Sequence, residues 1–339
     1  MNALRKKFGA TNTLLAITIA LFIIMYIIGM VIFKGKGFNH FQTFANIFIS
    51  NAGLLVCTVG MTMVMLTGGI DISVGSMIGV TCMILADLME NKGFSLGASI
   101  TIAMLFGVVF GVVQGFLVAY LEIQPFIVTL AGLFFARGLT AVISQNMVNI
   151  SNEAFHKISS TKIMLPKFLG YINNKGKNIT PFIYWRVIFA LLVVFIMWYI
   201  LKYTKFGRSI YALGGSEQSA KLMGLNVKRT KFYVYVLNGL IAAFGGLVWC
   251  MNQGSGFVEQ ARGVEMDCIS SSVIGGTMLT GGVGTVWGSL FGVMINGTIQ
   301  TLISDMNLNS WWNRIITSLL MLVFIVLQSI FNSISEKNR

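Results

Sequence analysis

The chain has 339 residues, of which 55% are hydrophobic and only 10% are charged. Soluble domains carry roughly 25% charged residues, so this composition, with a mean hydropathy of +0.79, leaves too little polar surface to cover a globule in water. The formal net charge of +13 then speaks of loop topology in a membrane, where Lys and Arg gather on cytoplasmic loops, and not of nucleic acid as a partner.

A membrane helix needs about 20 mostly apolar residues to cross roughly 30 Å of hydrocarbon. Ten such spans are expected, near 13–33, 44–66, 72–89, 96–121, 125–144, 181–201, 232–251, 265–283, 285–303 and 311–332. The first follows Arg5, Lys6 and Lys7, but its apolar run is too long for a signal core and lacks a small-residue cleavage site, so it reads as an uncleaved anchor. The region 265–303 is rich in Gly, Ser and Thr; it reads as two short helices, one broken helix or a re-entrant segment.

Segment 202–231 holds Lys202, Lys205, Arg208, Lys221, Lys228, Arg229 and Lys231 against Glu217 alone, which assigns it to the cytoplasm. The basic N-terminus, together with Lys337 and Arg339, assigns both chain ends to the same side. Residues 145–180 fall outside on this count, yet they contain five lysines and conflict with the rule. The expected fold class is all-α integral membrane, with about ten transmembrane helices, an internal repeat and cytoplasmic N- and C-termini. Residues 1–339 form a single polytopic domain, with 202–231 as a cytoplasmic segment within it.

The four cysteines, Cys57, Cys82, Cys250 and Cys268, fall in apolar segments without metal-like spacing and read as packing residues. His40 and His156 lie in loops with no partner that suggests a catalytic set. No metal site and no enzyme chemistry are expected.

TGGIDISVGSMIGV (67–80) aligns without a gap to TGGVGTVWGSLFGV (280–293), with seven of fourteen positions identical. Repeated halves with paired Gly-interrupted segments mark translocation paths in transporters. Tight helix packing alone also explains such glycines. Asp71 faces Gly284 in the alignment, so only the first copy carries an acid. A charge at mid-membrane costs about 2.5–3.5 kcal/mol on insertion scales, so Asp71 is expected away from lipid. Its leading role is an N-cap for the helix starting near Ile72; contact with a solute is the alternative.

FGRSIYALGGSEQSAKLMGLNVKRTK (206–231) reads as loop, short helix and loop. Ser216 is the expected N-cap and Gly224 the stop, leaving about two turns over Glu217–Met223. So short a helix is not stable alone and must dock, either on the protein's own underside or in a cytoplasmic partner.

Together these stretches resemble bacterial ABC sugar-importer permeases of the ribose, xylose and galactofuranose type. LTGGIDISVGS is similar to the signature of that family. The cytoplasmic segment resembles its coupling segment, G-x-x-x-Y-A-x-G-G-N-x-x-A-A-x-x-x-G-I-x-V. Gly207, Tyr211, Ala212, Gly214, Gly215, Ala220, Gly224 and Val227 match, while Ser216, Ser219 and Leu225 replace the usual Asn, Ala and Ile. VEMDCISSSVIGGTMLTGGVGTVWGSLFG (264–292) resembles the third block, with Glu265, Asp267 and the glycines matching. FIVTLAGLFFARGLT (126–140) and SWWNRI (310–315) look like the galactofuranose subgroup.

The resemblance implies two permease subunits, identical or paired with a homologue, two ABC ATPase subunits on the cytoplasmic side and an extracytoplasmic sugar-binding protein, all in or at the bacterial cytoplasmic membrane among its lipids. The chain has no G-x-x-x-x-G-K-[ST] loop, so ATP belongs to the partner ATPase and this chain binds no cofactor. The coupling set is Gly214, Gly215, Ser216, Glu217, Gln218, Ser219, Ala220, Lys221, Leu222, Met223 and Gly224. Candidates for the translocation path are Asn51, Thr67, Asp71, Ser73, Ser76, Gln114, Arg137, Asn238 and Asn296, each equally able to act as interhelical glue. Arg137 requires a partner if buried, with Asp267 or Glu265 as the expected one. Other solutes (ribose, xylose, autoinducer-2, a nucleoside) remain open within the class, and an ion-coupled secondary transporter remains as a different class.

Overall fold

A computed structural model of the chain describes residues 2–172 and 178–337. Its helices, in order, are α1 Asn2–Ile32, α2 Phe41–Leu66, α3 Val74–Glu90, α4 Leu96–Ala119, α5 Pro125–Ile143, α6 Glu153–Ser160, α7 Trp185–Tyr203, α8 Lys205–Gly215, α9 Glu217–Leu222, α10 Val227–Gln253, α11 Val264–Ile274, α12 Val286–Asp305 and α13 Trp311–Lys337. Nine of the ten expected spans coincide with helices, and of 265–283 only Val264–Ile274 is helical. Eight are long and apolar enough to cross a membrane. The other two, α3 with 17 residues and α11 with 11, are the ones that flank the glycine-rich breaks.

Contacts sort the loops into two ends. At one end Lys228 pairs with Glu122 at 2.9 Å, and the Tyr211 hydroxyl donates to the Gly284 carbonyl at 3.0 Å. At the far end Ser151 and Asn152 donate their amides to the Glu90 carboxylate, and Ile150 donates to Gly254. Helix α7 connects 145–184 to 204–226, so the lysine-bearing loop lies opposite the basic segment. It is not irregular: β1 Val148–Asn149 pairs with β6 Ser255–Gly256, β2 Lys162–Met164 with β5 Phe182–Tyr184, and β3 Tyr171–Ile172 with β4 Asn178–Ile179, all antiparallel. These short ladders give a polar stretch its backbone partners and are the one departure from an all-helical frame among the described residues. Lys175, Lys177 and Arg339 lie outside the described residues, as do the side chains of Arg5, Lys6, Lys7 and Lys337.

Helix α10 is the mast of the fold, packed against α2, α3 and α4. On α4, Gly107, Gly111 and Gly115 recur every fourth residue and so share one face. A methyl at Gly107 would stand 2.6 Å from the Gly239 carbonyl oxygen, one at Gly111 2.6 Å from that of Tyr235, and one at Gly115 2.8 Å from that of Phe232. Lipid tails are as apolar as Leu, so helices in a bilayer gain from such close backbone approach where water would reward large side chains. The approach fixes where Gln114 of α4 and Asn238 of α10 stand.

Gly239→Val is expected to cost about 1–3 kcal/mol by overpacking, read as a lowered unfolding midpoint of the detergent-solubilised protein. Gly97→Ala, where nothing lies within 4 Å, is expected to leave the midpoint in place; equal midpoints for the two variants would contradict the close contact.

Candidate functional site

The repeat is visible in the backbone. Gly68 and Gly281, aligned in sequence, have φ of +79° and +86°, a region that side chains disfavour. The two loops also touch: Gly282 donates its amide to the Leu66 carbonyl at 2.9 Å. They diverge from that residue on: Gly282 has φ +73°, whereas Gly69, aligned with it, does not have a positive φ. Gly284, aligned with Asp71, has φ +153°, which suits glycine and explains why the acid is confined to the first copy.

In the first loop the Asp71 carboxylate is the hub. Its Oδ1 accepts from the Ser73 amide at 2.9 Å and from the Ser73 hydroxyl at 2.5 Å. Its Oδ2 accepts from Asn238 Nδ2 at 2.6 Å. Gln114 Nε2 donates to Ser73 Oγ at 3.0 Å, and the Ser76 hydroxyl donates to the Ser73 carbonyl at 2.7 Å. Asp71 is 2% exposed, Ser73 0%, Gln114 4% and Asn238 1%, so the cluster is closed to solvent. No ion pair among the described residues includes Asp71; neutral donors alone satisfy the buried charge. Asp71 stands two residues before α3's cap position, which Ser73 occupies without a side-chain cap bond. The acid therefore ties the helix start through an Asx turn and a cross-link to α10.

Four of the nine path candidates, with Ser76 one turn on, are thus brought together. The others stand elsewhere. Thr67 closes α2 by donating to the Val64 carbonyl at 2.7 Å. Asn51 donates to its own helix at Ile47, and its amide nitrogen packs on Gly297 of α12; neighbouring Asn296 is fully buried. Arg137 corrects an expectation. Its guanidinium donates to the carbonyls of Val258 and Gln260, both at 2.7 Å, rather than pairing with Glu265 or Asp267. Those two acids sit in the first turn of α11, where the helix dipole favours negative charge.

In the basic segment Ser216 caps α9, its hydroxyl accepting from the Ser219 amide. Gly224 ends the turn with φ +77°, and Leu225 donates to the Ala220 carbonyl at 3.1 Å. Ala220 is buried with Leu213 and Val227, whereas Leu222 is 90% and Met223 67% exposed. The small side faces the protein's own body, and the large apolar tip faces outward. Glu217 accepts from Lys231 at 2.7 Å and pairs with Lys221 at 2.9 Å. These lysines hold its carboxyl below the usual carboxylate range, so this tie of α9 to α10 is present at neutral pH and is lost only in acid.

A profile of the family described as "Branched-chain amino acid transport system / permease component" matches residues 43–325. The chain belongs to this permease family. Among its relatives, the inner membrane ABC transporter permease protein YjfF of Escherichia coli (strain K12) is 38% identical over 318 residues, spanning 94% of this chain and 92% of the relative. The fructose import permease protein FruG of Bifidobacterium longum (strain NCC 2705) is 37% identical over 310 residues, spanning 91% and 88%. An autoinducer 2 import system permease protein, LsrC of Yersinia pseudotuberculosis (serotype O:1b, strain IP 31758), is 33% identical over 302 residues, spanning 88% and 81%. No solved structure matches the chain. The protein is thus a multi-pass membrane permease subunit of an ABC transporter, not an enzyme.

Permease residues that sequence reading passed over lie beside the same breaks. The Tyr235 hydroxyl is buried without a partner among the described residues and sits against Gly69. Its place three residues before Asn238, on one face of α10, was the available signal. The hydroxyls of Thr62, Ser272 and Ser289 meet in one buried cluster, with 3.1 Å between those of Thr62 and Ser272; only folding brings them together.

Asp71→Asn is expected to keep assembly and most uptake, because Asn238, whose Oδ1 has no partner, turns its amide to accept from the new donor. Asp71→Ala leaves buried donors unpaired and is expected to cost about 1–3 kcal/mol, measured as a lower unfolding midpoint and lower yield of assembled complex. Equal losses of uptake for both variants in well-assembled complexes would contradict this account.

Proposed function

We propose that this permease carries a monosaccharide across the bacterial cytoplasmic membrane, with galactofuranose as the solute. The basic end, residues 202–231, faces the cytoplasm on this reading. Two ABC ATPase subunits seat on the exposed tip of α9, a sugar-binding protein delivers solute at the far end, and a second permease subunit completes the pore. What carries the reading is the family membership joined to the closed cluster Asp71, Ser73, Gln114 and Asn238. Its amides and hydroxyls donate and accept as a neutral polyol requires, and among the described residues no partner cation marks it as a salt-bridge lock.

The family description speaks of amino acids, so the sugar rests on the relatives and on the subgroup resemblance of 126–140 and 310–315. The fructose import relative makes fructose the second reading. ATP binding by the partner would move the coupling set Gly214–Gly224 and shift the permease between inward- and outward-facing states.

The chain, purified with its co-encoded ATPase and binding protein and placed in liposomes, is expected to take up labelled galactofuranose only with ATP, without competition from fructose or ribose. Uptake that fructose displaces would transfer the assignment to fructose, and uptake by this chain alone on an ion gradient would overturn it. Leu222→Glu is expected to leave the permease's own stability within about 0.5 kcal/mol, as for other surface changes, while the ATPase subunits no longer co-purify.

A further inference from the structure

Three glycine-bearing segments that are far apart in sequence meet at the basic end. Gly214, in the last turn of α8, rests on the Leu66 carbonyl and the Gly282 amide; a methyl there would collide with both. Those two atoms are the acceptor and donor of the hydrogen bond that joins the repeat loops. From the other side, a methyl at Gly282 would stand 2.8 Å from the Gly214 carbonyl carbon and 2.8 Å from the Gly215 nitrogen, and one at Gly281 would stand 2.8 Å from the Gly68 nitrogen. Every one of these nearest atoms belongs to the main chain.

A second bond reinforces the junction. Tyr211, three residues before Gly214 on α8, donates its hydroxyl to the Gly284 carbonyl at 3.0 Å. A longer route runs parallel to it: Glu217 of α9 holds Lys231 at 2.7 Å, and two turns further along α10 Asn238 holds Asp71 at 2.6 Å. The coupling segment therefore reaches the first loop at Leu66 and Asp71, and the second at Gly282 and Gly284.

We propose that Gly214 is a transmission joint, a positioning residue that imposes any displacement of the coupling segment on both repeat loops at once. The proposal rests on the coupling reading above. Side chains absorb small shifts by changing rotamer. Close-packed backbone has no such freedom and passes a displacement on. Because Gly214 bears on the bond between the loops, the two breaks move together or separate. The joint serves coupling, and it is distinct from the docking surface at Leu222 and Met223.

The test uses the permease–ATPase complex with its binding protein in liposomes, comparing Gly214→Ala, Tyr211→Phe, Gly97→Ala and wild type for uptake, ATP hydrolysis and subunit stoichiometry. For Gly214→Ala the expected result is a full complement of ATPase subunits, hydrolysis no longer accelerated by sugar-loaded binding protein, and uptake reduced about 5- to 150-fold, the usual range of a lost coupling. Tyr211→Phe removes one hydroxyl and adds no bulk; it is expected to lower uptake per ATP in the same direction by a smaller factor. Gly97→Ala is expected to match wild type. Gly214→Ala with wild-type uptake per ATP overturns the joint. So does loss of the ATPase subunits from Gly214→Ala, since position 214 would then belong to the docking surface. Should Gly214→Ala not fold, wild-type uptake per ATP in Tyr211→Phe overturns it equally. If wild type itself shows no ATP-driven uptake while Leu222→Glu retains its ATPase subunits, the coupling reading fails and not the joint alone.

Discussion

A helix that stops inside a packed protein leaves amides and carbonyls closed off from water, and each such group costs about 1–3 kcal/mol if no partner replaces the water. That constraint organises this permease. Its two breaks, after α2 and after α11, are wrapped by α8, α10 and each other. The orphan carbonyl of Leu66 takes the Gly282 amide, and the start of α3 is tied through Asp71. Buried charge, glycine pairs and the mast-like α10 are three parts of one solution to the same problem. Asp71 supplies acceptors where amides are exposed, the glycines let backbones reach one another, and α10 closes the site from the side.

The use of backbone contact has a price in tolerance. Where Gly107, Gly111 and Gly239 meet, and where Gly214 meets Leu66, the separations leave no space for a methyl. A soluble core adjusts to an added carbon by shifting side chains; here the neighbouring atoms are main chain and cannot turn aside. The same rigidity that limits substitution makes these contacts suited to passing movement between segments.

Much of this architecture is legible in the sequence, because hydrocarbon imposes a simple rule. Runs of apolar residues long enough to cross read as spans, and nine of the ten have helices along them. The glycine repeat is legible too, since Gly68 and Gly281 need the same unusual φ and so the same residue. Local caps follow short-range chemistry: Ser216 and Gly224 act within their own turn, and both do as their residue types suggest. What sequence does not disclose is meeting across distance. Arg137 takes two main-chain carbonyls that any residue could supply, so no charge pattern announces them. The hydroxyls of Thr62, Ser272 and Ser289 come from three helices and carry no shared motif. The short strands of the far-end loop are too brief, at two or three residues each, for their pattern to show in the sequence.

The outward tip of α9 has a consequence for the life of the subunit. Leu222 and Met223 stand exposed as bare apolar side chains at the end of a six-residue helix that folds back on its own body. Exposed apolar surface of this kind attracts whatever apolar surface is near, correct or not. Until another surface covers it, that tip is therefore an adhesive point on the subunit.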